Sequence, residues 1–95
     1  MKIEQEILFK IMIDSLIHKY GLMLTSQQCA EALAISTRIL DENRKKEIDV
    51  PEYIEPNNKN KKGILYPVQN IVVYQLEKSK QSKKIKNSIT LNLGA

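Results

Sequence analysis

Apolar side chains recur at helical spacing along the first twenty residues and predict a helix over residues 2–20, ended by Gly21. At about 100° per residue they divide between two faces. One face, along the C-terminal half, consists of Phe9, Met12, Ile13, Leu16, Ile17 and Tyr20. The opposite face, along the N-terminal half, consists of Ile3, Ile7, Leu8 and Ile11. We expect the first face to pack inside the domain and the second to pair with another subunit, with a fold-back of the chain over it as the alternative.

The pattern changes over residues 24–46, which predict two short helices joined by a tight turn. Thr25 is placed to cap the first helix, whose inward positions are Cys29, Ala30 and Leu33. Ala34-Ile35-Ser36 breaks the period, and Ser36 is placed to cap a second helix. The inward positions of the second helix are Ile39, Leu40 and Asn43. A helix, a three-residue turn and a helix form the geometry that inserts a second helix into the DNA major groove.

The outward face of this second helix carries mixed charge. Its members are Arg38, Asp41, Glu42 and Lys45, with Thr37 and Arg44 at the flanks. An arginine can bond guanine bidentately, and a carboxylate can accept from a cytosine amino group. Two acids on a groove-facing helix also repel phosphates, so the alternative is that this helix does not read bases.

The chain after Lys46 predicts a small β-structure followed by another helix. Tyr53-Ile54 and Ile64-Leu65-Tyr66 are β-prone, and the turn-forming residues between them predict a hairpin over residues 53–66. Lysines at its tip, which suit phosphate contact, are Lys59, Lys61 and Lys62. A plain exposed loop is the alternative. Pro67 is placed to begin a helix that ends near Ser79, with Val68, Ile71, Val72 and Leu76 on one face.

Positive charge is concentrated at one end of the chain. The net charge is +4, yet residues 1–34 carry −1, residues 35–58 carry −2 and residues 59–95 carry +7. Such an imbalance favours a polyanionic partner, with nucleic acid preferred over membrane because no basic amphipathic helix accompanies it. A lysine-rich solubilising tail is the alternative. Residues 80–95 are rich in Lys, Ser and Asn, which predicts a basic flexible tail.

The remaining chemistry of the chain argues against several classes of protein. A single Cys29 and a single His18 cannot form a disulfide framework or a zinc site, and no cofactor is expected. No catalytic constellation or glycine-rich phosphate loop is present, so we expect no enzyme. Charged residues interrupt the N-terminal apolar run, which predicts no membrane span. A lone thiol and the lack of a signal-peptide pattern predict a cytoplasmic protein.

The order of these motifs resembles a known family. Over residues 22–79 the chain is similar to the excisionase-type, MerR-like winged helix-turn-helix family. The similarity lies in the order of LTSQQCAEALAIS-TRIL, a basic RKK, PEYI, a predicted wing, LYP and an amphipathic helix. The resemblance implies a small non-catalytic DNA-binding domain of phages, plasmids and other mobile elements. By position it implies base or backbone contacts by Thr37 and Arg38, and phosphate contacts by Arg44 and Lys45. The chain departs from the family at Asn43, where an aromatic residue is common, and at Glu47, where glycine is common.

Together these observations predict a mainly α fold with a small β-hairpin wing: a winged helix-turn-helix preceded by an extra N-terminal helix. One domain spans residues 1–79, with the N-terminal helix in 1–21, the helix-turn-helix in 24–46, the wing in 53–66 and the C-terminal helix in 67–79. The expected DNA-binding residues are Ser36, Thr37, Arg38, Asp41, Glu42, Arg44, Lys45, Lys59, Lys61 and Lys62. The expected partner is double-stranded DNA, contacted by a regulator or accessory factor of transcription, excision or replication, with a homodimer formed through the first helix. The alternative is a protein-interaction module that binds a replication initiator or a recombinase.

Overall fold

The computed structural model of the chain describes residues 3–56 and 63–81. Within them, four helices and two short strands follow one another in the order α1, β1, α2, α3, β2, α4. Their bounds are Ile3–Tyr20 for α1, Met23–Thr25 for β1, Ser26–Leu33 for α2, Thr37–Lys46 for α3, Leu65–Pro67 for β2 and Val68–Ser79 for α4. The fold is therefore mainly helical with a small antiparallel sheet.

The N-terminal helix α1 lies where the apolar pattern predicts it. Gly21 has a φ of +94° and donates its N–H to the Ile17 carbonyl at 2.8 Å, which ends the helix in a conformation that suits glycine. The side chains that pack against the core are Ile13, Leu16, Ile17 and Tyr20. These belong to the face expected to pack inside, and α1 lies against α4. No residue of α1 is fully buried, so the helix rests on the outside of the domain.

The sheet joins two segments that are far apart in sequence. β1 pairs with β2 in antiparallel register, with Leu24 opposite Tyr66 and both side chains fully buried. Ile54 forms a single antiparallel bridge with Leu65, through backbone hydrogen bonds of 2.8 and 3.1 Å. The predicted pairing of residues 53–54 with residues 64–66 is thus limited to one bridge among the described residues. The main partner of Leu65–Pro67 is instead Met23–Thr25, for which the sequence pattern predicts no strand.

One core lies between the helices and the sheet. Its buried members are Leu24, Cys29, Ala30, Leu40, Tyr66, Val68 and Ile71. Pro67 is the last residue of β2 and the N-cap of α4, so the helix begins one residue later than the sequence predicts. The Val68 N–H donates to the Leu22 carbonyl at 2.9 Å, which joins the start of α4 to the start of β1.

Candidate nucleic-acid interface

Two short capped helices form the centre of the candidate interface. Thr25 caps α2 as predicted, because the Gln28 N–H donates to its hydroxyl at 3.2 Å while its own N–H donates to Gln28 Oε1 at 3.0 Å. Ser36 caps α3 as predicted, accepting from the Ile39 N–H at 3.0 Å. Both caps satisfy a backbone N–H group at the N-terminal end of a helix and so fix where α2 and α3 begin.

The turn between α2 and α3 is tight because Ala34 adopts a left-handed conformation with a φ of +61°. Its N–H donates to the Glu31 carbonyl, and the Ile35 N–H donates to the Ala30 carbonyl at 3.0 Å. Ala30 and Leu40 are both buried in the core, so the small alanine lets the two helices approach closely. The orientation of α3 is therefore set by its contact with α2.

The exposed face of α3 carries the charges that would meet a ligand. Arg38 Nη1 donates to Glu42 Oε2 at 2.9 Å, with side chains 74% and 50% exposed. Lys45 and Lys46 are also exposed. An exposed i,i+4 ion pair contributes only about 0.3–0.5 kcal/mol, so Arg38 can exchange Glu42 for another acceptor at little cost.

Asp41 and Arg44 are less exposed than Arg38 and Glu42. Arg44 is only 18% exposed in its side chain, and its Nη2 lies 3.5 Å from the carboxylate of Asp41, which is 37% exposed. Arg44 Nε is buried with no acceptor among the described residues. The guanidinium therefore packs along the side of α3, and this position leaves Arg44 less available for the phosphate contact that the resemblance implies.

The remaining predicted positions on α3 differ in their exposure. Leu40 is fully buried as expected, whereas Asn43 is half-buried and Ile39 is exposed at the rim of the helix. Asn43 Nδ2 donates to the Asp49 carbonyl at 3.2 Å, so this half-buried polar side chain has a hydrogen-bond acceptor in the segment after α3. Ser36 is exposed and Thr37 is half-buried. The Ser36 hydroxyl accepts a capping bond, yet its proton can still be donated to a ligand.

A contact that sequence reasoning missed holds the segment after α3. Asp49 Oδ1 accepts from the Tyr74 hydroxyl and from Lys78 Nζ, each at 2.9 Å. The Lys78 and Tyr74 hydrogen bonds hold the pKa of the Asp49 carboxyl below its usual value. The partners lie 25 and 29 residues away in α4, too far for any local pattern to indicate. The contact fixes the chain between α3 and the predicted wing.

Three buried or partly buried groups have raised pKa values. Burial raises the pKa of the Cys29 thiol to about 12, so the thiol is neutral and unreactive at pH 7. Burial also raises the pKa of Tyr66 to about 12, with the Ser26 hydroxyl beside it acting in the opposite direction. Burial and the bond to Asp49 raise the pKa of Tyr74 to about 12.

Some predicted residues fall outside the described ranges, and some kinds of site are absent within them. Lys59, Lys61 and Lys62, at the predicted wing tip, and most of the basic tail lie outside the described residues. Over residues 3–56 and 63–81, no cluster of three metal-ligating side chains occurs, and none of the helices has the length and apolar content needed to cross a membrane. No protein family model, curated protein or solved structure matches this chain.

Proposed function

We propose that this protein is a small DNA-binding regulator or accessory factor, of the winged helix-turn-helix kind used by plasmids and phages. The observation that carries the proposal is the pair α2–α3, two capped helices held at a fixed angle with the polar face of the second exposed. Strand β2 pairs with β1 on one side and bridges to Ile54 on the other, which is the arrangement expected at the base of a wing. DNA is the ligand that this geometry suits best.

Charge supports the same ligand. Residues 59–95 carry eight lysines and a single acid, whereas residues 1–34 and 35–58 carry net charges of −1 and −2. Affinity would therefore come mainly from lysine–phosphate contacts outside α3, and these contacts are independent of sequence. The exposed face of α3 would select the sequence. In this proposal Thr37 and Arg38 contact bases or the DNA backbone, and Lys45 contacts phosphate. Glu42 holds the Arg38 guanidinium until a guanine takes the place of the Glu42 carboxylate.

Replacing Arg38 by alanine tests this assignment. We expect Arg38→Ala to reduce discrimination between the preferred site and a scrambled duplex by about 1–3 kcal/mol, because alanine cannot form the bidentate bond to guanine. The measurement is a competition titration by fluorescence anisotropy, after the preferred site has been selected from a random library. Lys19→Ala, on exposed α1, is the matched control that should change neither affinity nor discrimination.

The outcomes separate the alternatives. Equal weakening on both duplexes would make Arg38 a phosphate contact and leave base reading to other residues. No binding of the full-length protein to any duplex at low salt would contradict the DNA proposal. That result would favour a second candidate function, a protein-interaction module that binds a replication initiator or a recombinase. The observation behind this second candidate is the acidic side chain Glu42 on the exposed face of α3 together with the exposed aliphatic face of α1.

A further inference from the structure

The N-terminal half of α1 presents aliphatic side chains to solvent. Ile3 is 73% exposed, Ile7 55%, Leu8 45% and Ile11 56%. The opposite face of the helix contacts the core and α4. Leu8 and Ile11 also border grooves beside α4, at one edge of this exposed set. Four large aliphatic side chains along three helical turns form a contiguous patch of the kind that monomeric proteins rarely leave uncovered. We refer to Ile3, Ile7, Leu8 and Ile11 as the α1 patch.

The α1 patch contains a central stripe of isoleucines whose spacing is the same in both directions along the helix. Ile3, Ile7 and Ile11 are separated by four residues each, so the stripe is symmetric about Ile7. Residues four apart form the ridges that interlock when two helices pack. A stripe with this symmetry is complementary to its own antiparallel copy, in which Ile3 meets Ile11 of the second copy and Ile7 meets Ile7.

Charge at the edge of the stripe favours the same arrangement. Glu6 and Lys10 lie on one edge, one helical turn apart, and both are exposed. When the partner helix runs antiparallel, the same edges of the two helices face each other, and Glu6 comes within about two residues of rise of Lys10 in the second copy. Both oppositely charged pairs then form at once, and each Lys10 exchanges its exposed partner Asp14, at 3.4 Å on its own helix, for Glu6 of the second copy. In a parallel pair the opposite edges of the two helices would face each other, so Glu6 would not meet Lys10 of the second copy.

We propose that the α1 patch binds a second copy of this chain, with the two α1 helices antiparallel about a two-fold axis near Ile7. Such an interface is isologous, because each residue meets its symmetry equivalent in the reverse order. The stripe ends where Asp14 and His18 replace aliphatic residues on the same face, which limits the contact to about three turns. Stable complexes usually bury about 1,200–2,000 Å² in total, and three turns bury less, so the dimer is a weak one.

Cysteine cross-linking determines both the contact and its direction. Under mild oxidation of the full-length protein without DNA, we expect Ile7→Cys to form a disulfide-linked dimer with itself. In an antiparallel pair the two copies of residue 3 lie about 12 Å apart along the helix axis, too far for a disulfide. Ile3→Cys should therefore link poorly to itself and efficiently to Ile11→Cys in a mixture. Native Cys29 does not interfere because it is fully buried.

A comparably exposed thiol on another helix serves as the control. Val73→Cys places it on α4, away from the α1 patch, and should not link. Efficient self-linking of Ile3→Cys, matching that of Ile7→Cys, would overturn the antiparallel arrangement. Sedimentation equilibrium provides a second measurement, in which Ile7→Asp raises the dimer dissociation constant more than about tenfold and Val73→Asp leaves it unchanged.

A strictly monomeric mass of the unmodified protein at millimolar concentration would overturn the proposal. It would then follow that the chain's own residues or another protein cover the α1 patch. Because no DNA is present in either experiment, this proposal and the proposed DNA-binding function can fail independently.

Discussion

Glu47 ends α3 in a conformation that an ordinary residue adopts at a cost. Its φ is +59°, and its N–H donates to the Arg44 carbonyl at 3.1 Å, so it occupies the left-handed position that glycine usually fills after a helix. Left-handed backbone costs a residue with a Cβ about 1 kcal/mol or more.

Replacing Glu47 by glycine should therefore stabilise the protein. We expect Glu47→Gly to raise the free energy of unfolding by about 0.5–1 kcal/mol, the steric relief being partly offset by the greater entropy of the unfolded chain. Urea denaturation followed by circular dichroism measures the change. Lys46→Gly, inside the same helix, is the control and should lower stability by about 1 kcal/mol. Loss of stability in Glu47→Gly would show that the glutamate side chain contributes more than its backbone costs.

Arg44 and Lys45 are adjacent in sequence and should behave differently when truncated. Arg44→Ala removes a mostly buried side chain beside Asp41, so we expect unfolding to become easier by about 1–2 kcal/mol. Lys45→Ala removes an exposed charge, so stability should stay within about 0.5 kcal/mol while DNA affinity falls on every sequence. Thermal unfolding and duplex titration of both variants measure this. Unchanged stability in Arg44→Ala, together with weaker DNA binding, would restore Arg44 as a phosphate contact.

At the scale of elements, the sequence predicts where the helices begin and end better than it predicts which elements pair with one another. Thr25, Ser36 and Gly21 indicate three helix ends because capping depends on residues close in sequence. The pairing of β1 with β2 could not be predicted, because a three-residue strand carries too few positions to show an alternating pattern. The single bridge from Ile54 to Leu65 shows that β-prone residues do not by themselves determine the length of a hairpin.

On α3, helical periodicity correctly predicts that Leu40 is buried. It does not predict which side chains are exposed at the edges of the buried face. Ile39 is apolar yet exposed, and Arg44 is charged yet mostly buried. Arg44 lies one helical turn after the buried Leu40 on the same face, and the aliphatic stem of an arginine can cover apolar surface. Periodicity assigns residues to a face by type alone. Which side chains lie at the boundary of that face depends on neighbours from other elements, here α2 and β2.

The contact of Asp49 with α4 should make stability depend on pH. Its two donors, Lys78 and Tyr74, lower its pKa in the folded state, so its contribution is present above the unfolded pKa of about 3.9 and is lost as the pH falls through the lower folded value. The carboxyl is exposed, which limits the contribution to about 0.2–1 kcal/mol. Asn is the suitable replacement because it tolerates the φ of +53° at this position.

We therefore expect Asp49→Asn to be less stable than the unmodified protein at pH 7, with the difference shrinking as the pH falls below about 4. Denaturant titrations of both proteins at several pH values measure the difference, which cancels the effect of the other carboxylates. A difference that stays constant down to about pH 2 would assign the destabilisation to the backbone or to packing. Lys78→Met, which retains the stem and removes the charge, should reproduce part of the effect.

At the scale of the whole molecule, the positive charge is distributed unevenly along the sequence. The described helices provide a rigid frame of nearly balanced charge, and the excess lysines lie in residues 59–95. The charge of such a segment follows from composition alone, since no fold is needed to count it. The position of this segment relative to α3 does not follow from composition, because the sequence pattern gives no distances between distant segments.

Removing residues 82–95 should flatten the salt dependence of DNA binding. This segment holds three lysines and no acid, so the slope of log affinity against log salt should decrease by up to about 0.9 for each phosphate that these lysines neutralise. Duplex titrations between about 50 and 200 mM salt measure the slope. An unchanged slope would assign the phosphate contacts to other lysines. Lys83, Lys84 and Lys86 replaced together by Gln form the matched control at full length.

The antiparallel pairing of β1 with β2 has a consequence for how the chain tolerates change. It joins residues 23–25 directly to residues 65–67, and the bridge at Ile54 closes the same sheet just before residue 57. Neither of these two contacts involves residues 57–62. Doubling the length of a connecting loop costs only about 0.6 kcal/mol in closure entropy. We therefore expect insertions between residues 56 and 63 to leave β1, β2 and α3 in place, at a cost of this order in stability.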